Sequence, residues 1–276
     1  MKIVDLHSHT TASDGTYAPA ESVRRAKEKG LSALGITDHD TVAGIKEAIA
    51  AGIECGIEIV PGIEISTIAN GKEIHVLGYY VDTEDEVFLQ ELKSLRNVRN
   101  RRNEMIIENL QKLGIDISLE EITKRKKMEE GNIGRPHIAE VLIEKGVVSS
   151  LQEAFQFYLG KEGKAYANPP RISPEEAIDL VIRAGGVPVL AHPGLYQDNS
   201  LVERLIGYGL AGIEANHTDH TPEDVAYFTE LGEKHQLIIT AGSDFHGERN
   251  GSIFHGDLGT CTVDYEVVQR LKERAR

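Results

Sequence analysis

Nine residues able to ligate a metal ion, His7, His9, Asp14, His39, Glu64, His75, His192, Asp244 and His246, are spread over 276 residues, and most of them stand where an apolar run ends. Side chains alternate faces along a strand, so His7 and His9 in Lys2-Ile-Val-Asp-Leu-His-Ser-His9 point the same way and can share one ion. The pattern recurs at Ala33 to Asp40, at Val187 to Pro193 and at Leu237 to His246, each a short β-type run ending in ligand-grade residues. In parallel α/β barrels catalytic groups gather at the strand C-termini. The spacing therefore predicts an α/β barrel with a multinuclear metal site at one mouth.

From residue 1 to about 85 the pattern reads strand, helix, strand, helix, strand, strand. Amphipathic spacing over Glu21 to Lys29 and Thr41 to Cys55 is followed by Gly30 and Gly56, and Asn70-Gly71 separates two β-rich runs as a hairpin signal. Residues 86 to 165 read as consecutive helices: a long one through Leu113, then pieces around Leu119 to Lys127, Arg135 to Lys145 and Leu151 to Leu159. The βα rhythm resumes after Asn168-Pro-Pro170. Helices are expected over Pro174 to Ala184, over Pro222 to His235 and after Asp264, and strands at 187–191, 211–215, 237–242 and 258–262. Segments 1–85 and 166–276 thus read as one barrel and 86–165 as a helical insertion capping it.

The length suits a single barrel with an insertion. No apolar run reaches the ~18 residues of a membrane span and no signal peptide opens the chain, so a soluble, cytoplasmic protein is expected, and no obligate protein partner is inferred. Cys55 and Cys261 form no framework and are expected as buried thiols. The formal net charge of −14 is uneven: residues 93–171 hold 15 Lys+Arg against 11 Asp+Glu, a balance of +4 that leaves −18 elsewhere. An acidic body carrying a basic insert can still present a cationic pocket once ions are bound.

A lone strand histidine is usually a packing residue. Here six of the 11 histidines join the set, which packing alone does not explain. Imidazole and carboxylate donors without thiolate suit zinc, manganese or iron rather than calcium, with two to three divalent ions expected. Glu64 has two oxygens with which to bridge a pair of ions. Asp5, Asp38 and Asp40 stand beside ligand positions, where carboxylates orient imidazoles; capping of the helix near Thr41 is the equal alternative for Asp38 and Asp40.

Asp5-Leu-His-Ser-His9, Ser13-Asp-Gly-Thr16, Thr37-Asp-His-Asp40, Gly62-Ile-Glu64, Ala191-His-Pro193 and Ser243-Asp-Phe-His246 together resemble the PHP (polymerase and histidinol phosphatase) metal-dependent phosphoesterases. The resemblance implies a distorted seven-stranded (β/α) TIM-like barrel with an insert after the fourth strand and a trinuclear site. It assigns His7, His9, Glu64 and Asp244 to one ion, Glu64, His75 and His192 to a second, and Asp14, His39 and His246 to the third. It further implies hydrolysis of phosphate monoesters by a metal-bridging hydroxide.

Gly134-Arg-Pro-His137 opens a helix, where free N–H groups favour an anion; Arg135 is expected to grip phosphate and His137 to donate to it. The alternatives are a surface ion pair for Arg135 and a capping role for His137. Arg96, Arg99, Arg101, Arg102 and Lys124 to Lys127 read as a solvated helix face, or otherwise as a track for an oligonucleotide backbone. His217 in Asn216-His-Thr-Asp-His220 is a candidate acid for the leaving oxygen; His235 and His255 carry no motif and are expected at the surface or in packing. No aromatic cluster marks a base-stacking site. The insert and the opening motif resemble the branch acting on nucleoside 3′,5′-bisphosphates and short 5′-phosphorylated RNA. Histidinol-phosphate phosphatase and a non-catalytic metal-binding module are the alternatives, the latter disfavoured by the complete ligand set.

Overall fold

The computed structural model describes residues 2–249 and 251–275. Short parallel strands form the frame: β1 (Ile3–Asp5), β2 (Ala33–Ile36) and β3 (Glu58–Ala69), linked by the helices α1 (Pro19–Glu28) and α2 (Ile45–Cys55). β3 turns back through Asn70 and Gly71, both at positive φ as a tight hairpin requires, into the antiparallel β4 (Lys72–Tyr79). β4 pairs antiparallel with β5 (Val187–Leu190), after which β6 (Gly212–His217) and β7 (Ile238–Gly242) continue in parallel. α7 (Pro174–Arg183), α8 (Asn199–Tyr208), α9 (Pro222–Lys234) and α10 (Glu266–Arg274) flank this half.

The sheet nearly closes. Beyond β1, the Leu6 N–H donates to the Ala241 carbonyl at 3.0 Å, and Ser8 bridges to Phe245 in parallel. Gly242 makes that approach feasible, because a Cβ there would collide with His7. Pro174 and Pro222 sit in the first turns of α7 and α9, behind Ser173/Glu176 and Thr221/Asp224 capping boxes. α7 then buries Ile178, Leu180 and Val181, each contributing about 1.5–3 kcal/mol.

Between β4 and β5 runs the helical segment: α3 (Glu86–Lys112), α4 (Leu119–Thr123), α5 (Arg135–Glu144) and α6 (Leu151–Ala154), the last passing into a π-helical turn over Phe155–Leu159. Its far part has its own core around Ile106, Leu110, Ile138 and Leu142, whereas Phe88, Leu92 and Leu95 of α3 pack into the barrel core.

Four details depart from the sequence reading. Residues 258–262 are turns rather than a strand: Gly259 is at φ 83° and Thr260 donates back to Asp257. The final strand is β10 (Val263–Asp264), an antiparallel eighth member of the sheet paired with β1. α8 was not expected, although Asp198 caps it. α2 starts at Ile45 rather than Thr41, with Gly44 in the capping position. A two-stranded hairpin, β8 (Glu248–Arg249) and β9 (Ser252–Ile253), follows the last ligand motif. Cys261 is buried but Cys55 only half so. No described helix is long and apolar enough to cross a membrane.

Candidate metal centre

All nine residues of the ligand set converge at one mouth of the barrel. Glu64, on β3, is 1% exposed and lies at the centre. Its Oε1 is 2.8 Å from His75 Nδ1, 3.0 Å from His192 Nε2 and 3.5 Å from His7 Nε2. Its Oε2 is 2.8 Å from His39 Nδ1 and 3.3 Å from His9 Nε2. Asp244 Oδ1 lies 3.3 Å from His7 Nε2 and 3.1 Å from His9 Nε2, and those two nitrogens are themselves 3.2 Å apart. Ligand atoms ~2.1 Å from one ion in a tetrahedron stand roughly 3.4 Å from each other, so this spacing suits a shared cation. His9, Asp14, His39 and His246 form a further cluster.

Two observations test whether these residues fit metal ions. Asp14 Oδ1, Glu64 Oε2, Asp244 Oδ1 and His39 Nδ1 are buried without a hydrogen-bond partner, and His39 Nδ1 lies off the direction a hydrogen bond to Glu64 needs despite its 2.8 Å. Unpaired buried polar atoms are costly, and four of them within overlapping groups of possible ligands fit the coordination of cations. The second observation is charge. Burial opposes ionisation of Asp14, Glu64 and Asp244, yet the surrounding imidazoles hold all three well below the ordinary carboxylate range. Burial likewise pushes His9 down, but Asp244 and Glu64 outweigh it and raise His9 to about 10. Burial prevails at His39 and His192, which fall to about 4.

Glu214, which the sequence reading passed over inside an apolar run, is fully buried and fixes two ligands. It accepts from His7 Nδ1 at 3.0 Å, leaving Nε2 to face the cluster, and from the His192 N–H at 2.9 Å. The other carboxylates accept from backbone N–H groups, hydroxyls and Arg99. Asp5 accepts from the Ser243 and Gly259 N–H groups, and burial raises it to about 6. Asp38 accepts from Thr10 and Ser13, and Asp40 from the Ser66 N–H and Arg99. None of the three orients an imidazole by hydrogen bond or caps α2; they tie the ligand loops together.

A cavity of about 250 Å³ opens over the cluster, lined on its other side by Arg99, Arg102, Arg135 and Arg171. The expected solvated face is thus only partly solvated: Arg101 is exposed, but Arg99 and Arg102 are 6% and 2% exposed. Arg99 pairs with Asp40 at 2.7 Å; Arg135 and Arg171 share Glu73. Arg102 reaches Glu73 only at 4.0 Å, its Nε has no partner, and burial together with the three neighbouring arginines depresses its pKa. Four guanidiniums face two carboxylates, an excess of two positive charges. His137 does not line the cavity: its Nδ1 accepts from the Gly134 N–H at 3.1 Å, the capping alternative.

His217 is also absent from the lining. It is buried with Nε2 3.4 Å from Asp244 Oδ2, and its Nδ1 accepts from the Asp219 N–H. His255, expected at the surface or in packing, does line the cavity, with Nδ1 2.6 Å from Asp219 Oδ2 and Nε2 3.7 Å from Asp244 Oδ2. No local motif marks it. Phe155 and Phe254 line the same cavity, an aromatic pair from distant parts of the sequence.

The helical segment also braces the ligand loops. Asn132 donates through its side chain to the His39 carbonyl and through its N–H to that of Ala12, and Thr41 donates to the Glu130 carbonyl. Arg249 joins Glu140 of α5 to the Asp14 carbonyl. Gly134 meets the Asp14 carboxylate so closely that a Cβ would strike it.

Known proteins resemble this chain in sequence and fold. The family model described as PHP domain matches residues 5–163. The 5′-3′ exoribonuclease Rnm of Escherichia coli is 36% identical over 251 residues, covering 88% of this chain and 85% of that protein. The 3′,5′-nucleoside bisphosphate phosphatase of Chromobacterium violaceum is 32% identical over 256 residues, covering 91% and 90%. A metal-dependent phosphoesterase from Bifidobacterium adolescentis superposes with a TM-score of 0.91 at 32% identity, covering 99% of this chain and 96% of that one. With a fold, a ligand cluster and whole-length relatives in agreement, this chain belongs to the PHP family of metal-dependent phosphoesterases.

Proposed function

We propose that this hydrolase removes the 3′-phosphate of nucleoside 3′,5′-bisphosphates. One observation carries the reading: a single cavity presents the ligand cluster on one wall and four arginines with two uncompensated charges on the other. A substrate with two phosphates answers both walls, one phosphate reacting over the cluster and a second, as a dianion, facing Arg102 and Arg135. Histidinol phosphate has one phosphate and leaves the second wall unused.

We assign His7, His9, Asp14, His39, Glu64, His75, His192, Asp244 and His246 as ligands of two to three ions of manganese, zinc or iron. When bound, the ions polarise the phosphoryl group and activate water. The chain's own residues do the rest. Glu214 keeps His7 and His192 in register, Arg102 and Arg135 orient the non-reacting phosphate, and residues 86–165 cap the cavity against water. His255 is better placed than His217 to protonate the leaving oxygen, because it faces the cavity and Asp219 holds its Nδ1.

Short 5′-phosphorylated RNA is the second reading. A cavity of about 280 Å³ lies behind the arginine wall, sharing Ser66, Arg99, Arg102 and Arg171 with the first, and gives room for further nucleotides. The test is phosphate release by the metal-reconstituted protein from adenosine 3′,5′-bisphosphate, a 5′-phosphorylated RNA decamer and histidinol phosphate. The first substrate is expected to have the highest kcat/KM; preference for histidinol phosphate would refute the proposal.

A further inference from the structure

We propose that Phe155 and Phe254 form a stacking platform for the substrate's nucleobase, one that reads planarity and not base identity; this rests on the bisphosphate reading above. The rings come from opposite sides of the cavity, Phe155 from the π-helical turn of the helical segment and Phe254 from the loop after β9. They are nearly parallel, 26° apart with centroids at 6.4 Å, and both are half-buried. Phe254 belongs to none of the apolar cores; its ring meets His255 at 4.4 Å and stands edge-on to His246 at 6.4 Å. Phe155 lies under the Arg135 guanidinium at 5.8 Å.

The platform therefore touches the ligand cluster on one side and the arginine wall on the other. A nucleotide with one phosphate over each would bring its base to this rim. Half-buried aromatic rings lining a cavity beside an anion site offer a base surface on which to stack, and π-helical turns recur where a chain builds a site. Phenylalanine offers no donor or acceptor to a base edge, so stacking here is tolerant of base identity.

The experiment compares kcat/KM for adenosine and uridine 3′,5′-bisphosphates with that for ribose 3,5-bisphosphate, which has the same phosphates and no base. The wild-type protein is expected to prefer either nucleotide over the sugar by about tenfold or more, the range that stacking on an aromatic ring supplies, with adenosine and uridine within roughly threefold of each other. The Phe155→Leu/Phe254→Leu protein keeps apolar bulk but loses the flat faces, and its nucleotide-to-sugar ratio is expected to approach one. If that protein does not fold, as judged by its thermal melt and metal content, Phe254→Leu alone answers the question, since Phe254 belongs to no core. A wild-type protein that treats nucleotide and sugar alike, or a variant that keeps the ratio, overturns the platform. If the wild-type protein hydrolyses none of the bisphosphates, the underlying reading fails, and that is visible before any variant is made.

Discussion

The barrel mouth and the helical segment contribute opposite things to one cavity. At the mouth, donors are short and mostly buried, Glu64 and His75 within β3 and β4 and the others in the loops that follow strands, and carboxylates and imidazoles compensate each other around Glu64. The helical segment supplies Arg102 and Arg135, long side chains that reach in from α3 and α5 and, with Arg99 and Arg171, are left with charge to spare. On the proposed function, the mouth binds cations and the helical segment binds anions. Changes at the mouth should therefore read out in metal content, and changes in the insert in substrate affinity with metal content intact.

The strongest attempt to break this division is His7→Ala with His9→Ala. Removing two ligands should lower kcat/KM more than 100-fold, beyond the 10–100-fold that even ligand-supporting partners reach. Elemental analysis should show less metal per chain; unchanged metal content would refute the assignment of the mouth. Glu214→Gln comes next. It keeps the shape but weakens the grip on His7, and chelator competition should show metal affinity lower by about 10–100-fold.

Arg102→Met tests the insert and carries an unusual sign. Losing a charge-assisted contact costs about 1.5–3 kcal/mol, so KM for the bisphosphate should rise at least tenfold. Because Arg102 is buried and poorly paired, the same change should raise the melting temperature of the substrate-free protein. A lower Tm with an unchanged KM would make Arg102 a structural residue. Arg135→Ala should raise KM less than Arg102→Met, since Glu73 already engages Arg135. The smallest effect is expected from Arg101→Glu with Lys124→Glu, both exposed and in weak surface pairs. Bisphosphate turnover should stay within about twofold; a selective loss on the RNA decamer, with a shallower salt dependence, would show that this face tracks a nucleic-acid backbone.

The two regions also differed in how openly the sequence spoke. The His7-Ser-His9 pair is written locally, because the i, i+2 spacing puts both imidazoles on one face of the extended stretch that follows β1. Glu214 escaped notice because it interrupts an apolar run at a single position, where alternation gives one inward side chain no special mark. His255 depends on the β8–β9 hairpin folding it back over Asp244, a tertiary event without a motif. The arginines of α3 are more instructive. Leu92, Leu95, Arg99, Arg102 and Ile106 fall on a three-and-four spacing, so Arg99 and Arg102 lie on the buried stripe of the helix. Counting the charges as one run hid that periodicity. Phe155 and Phe254 are separated by 98 intervening residues, and only the closed fold makes them a pair.

The brace from the helical segment onto Ala12, Asp14 and His39 lands on their backbone carbonyls, so it holds the ligand loops whatever side chains they carry. Any displacement of the insert that disturbs this brace is felt at the ligands. Thermodynamic reciprocity then requires that the factor by which a bound ion would strengthen substrate affinity equals the factor by which bound substrate would strengthen the affinity for that ion. In metal-poor surroundings, the molecules expected to retain metal longest are those already holding substrate.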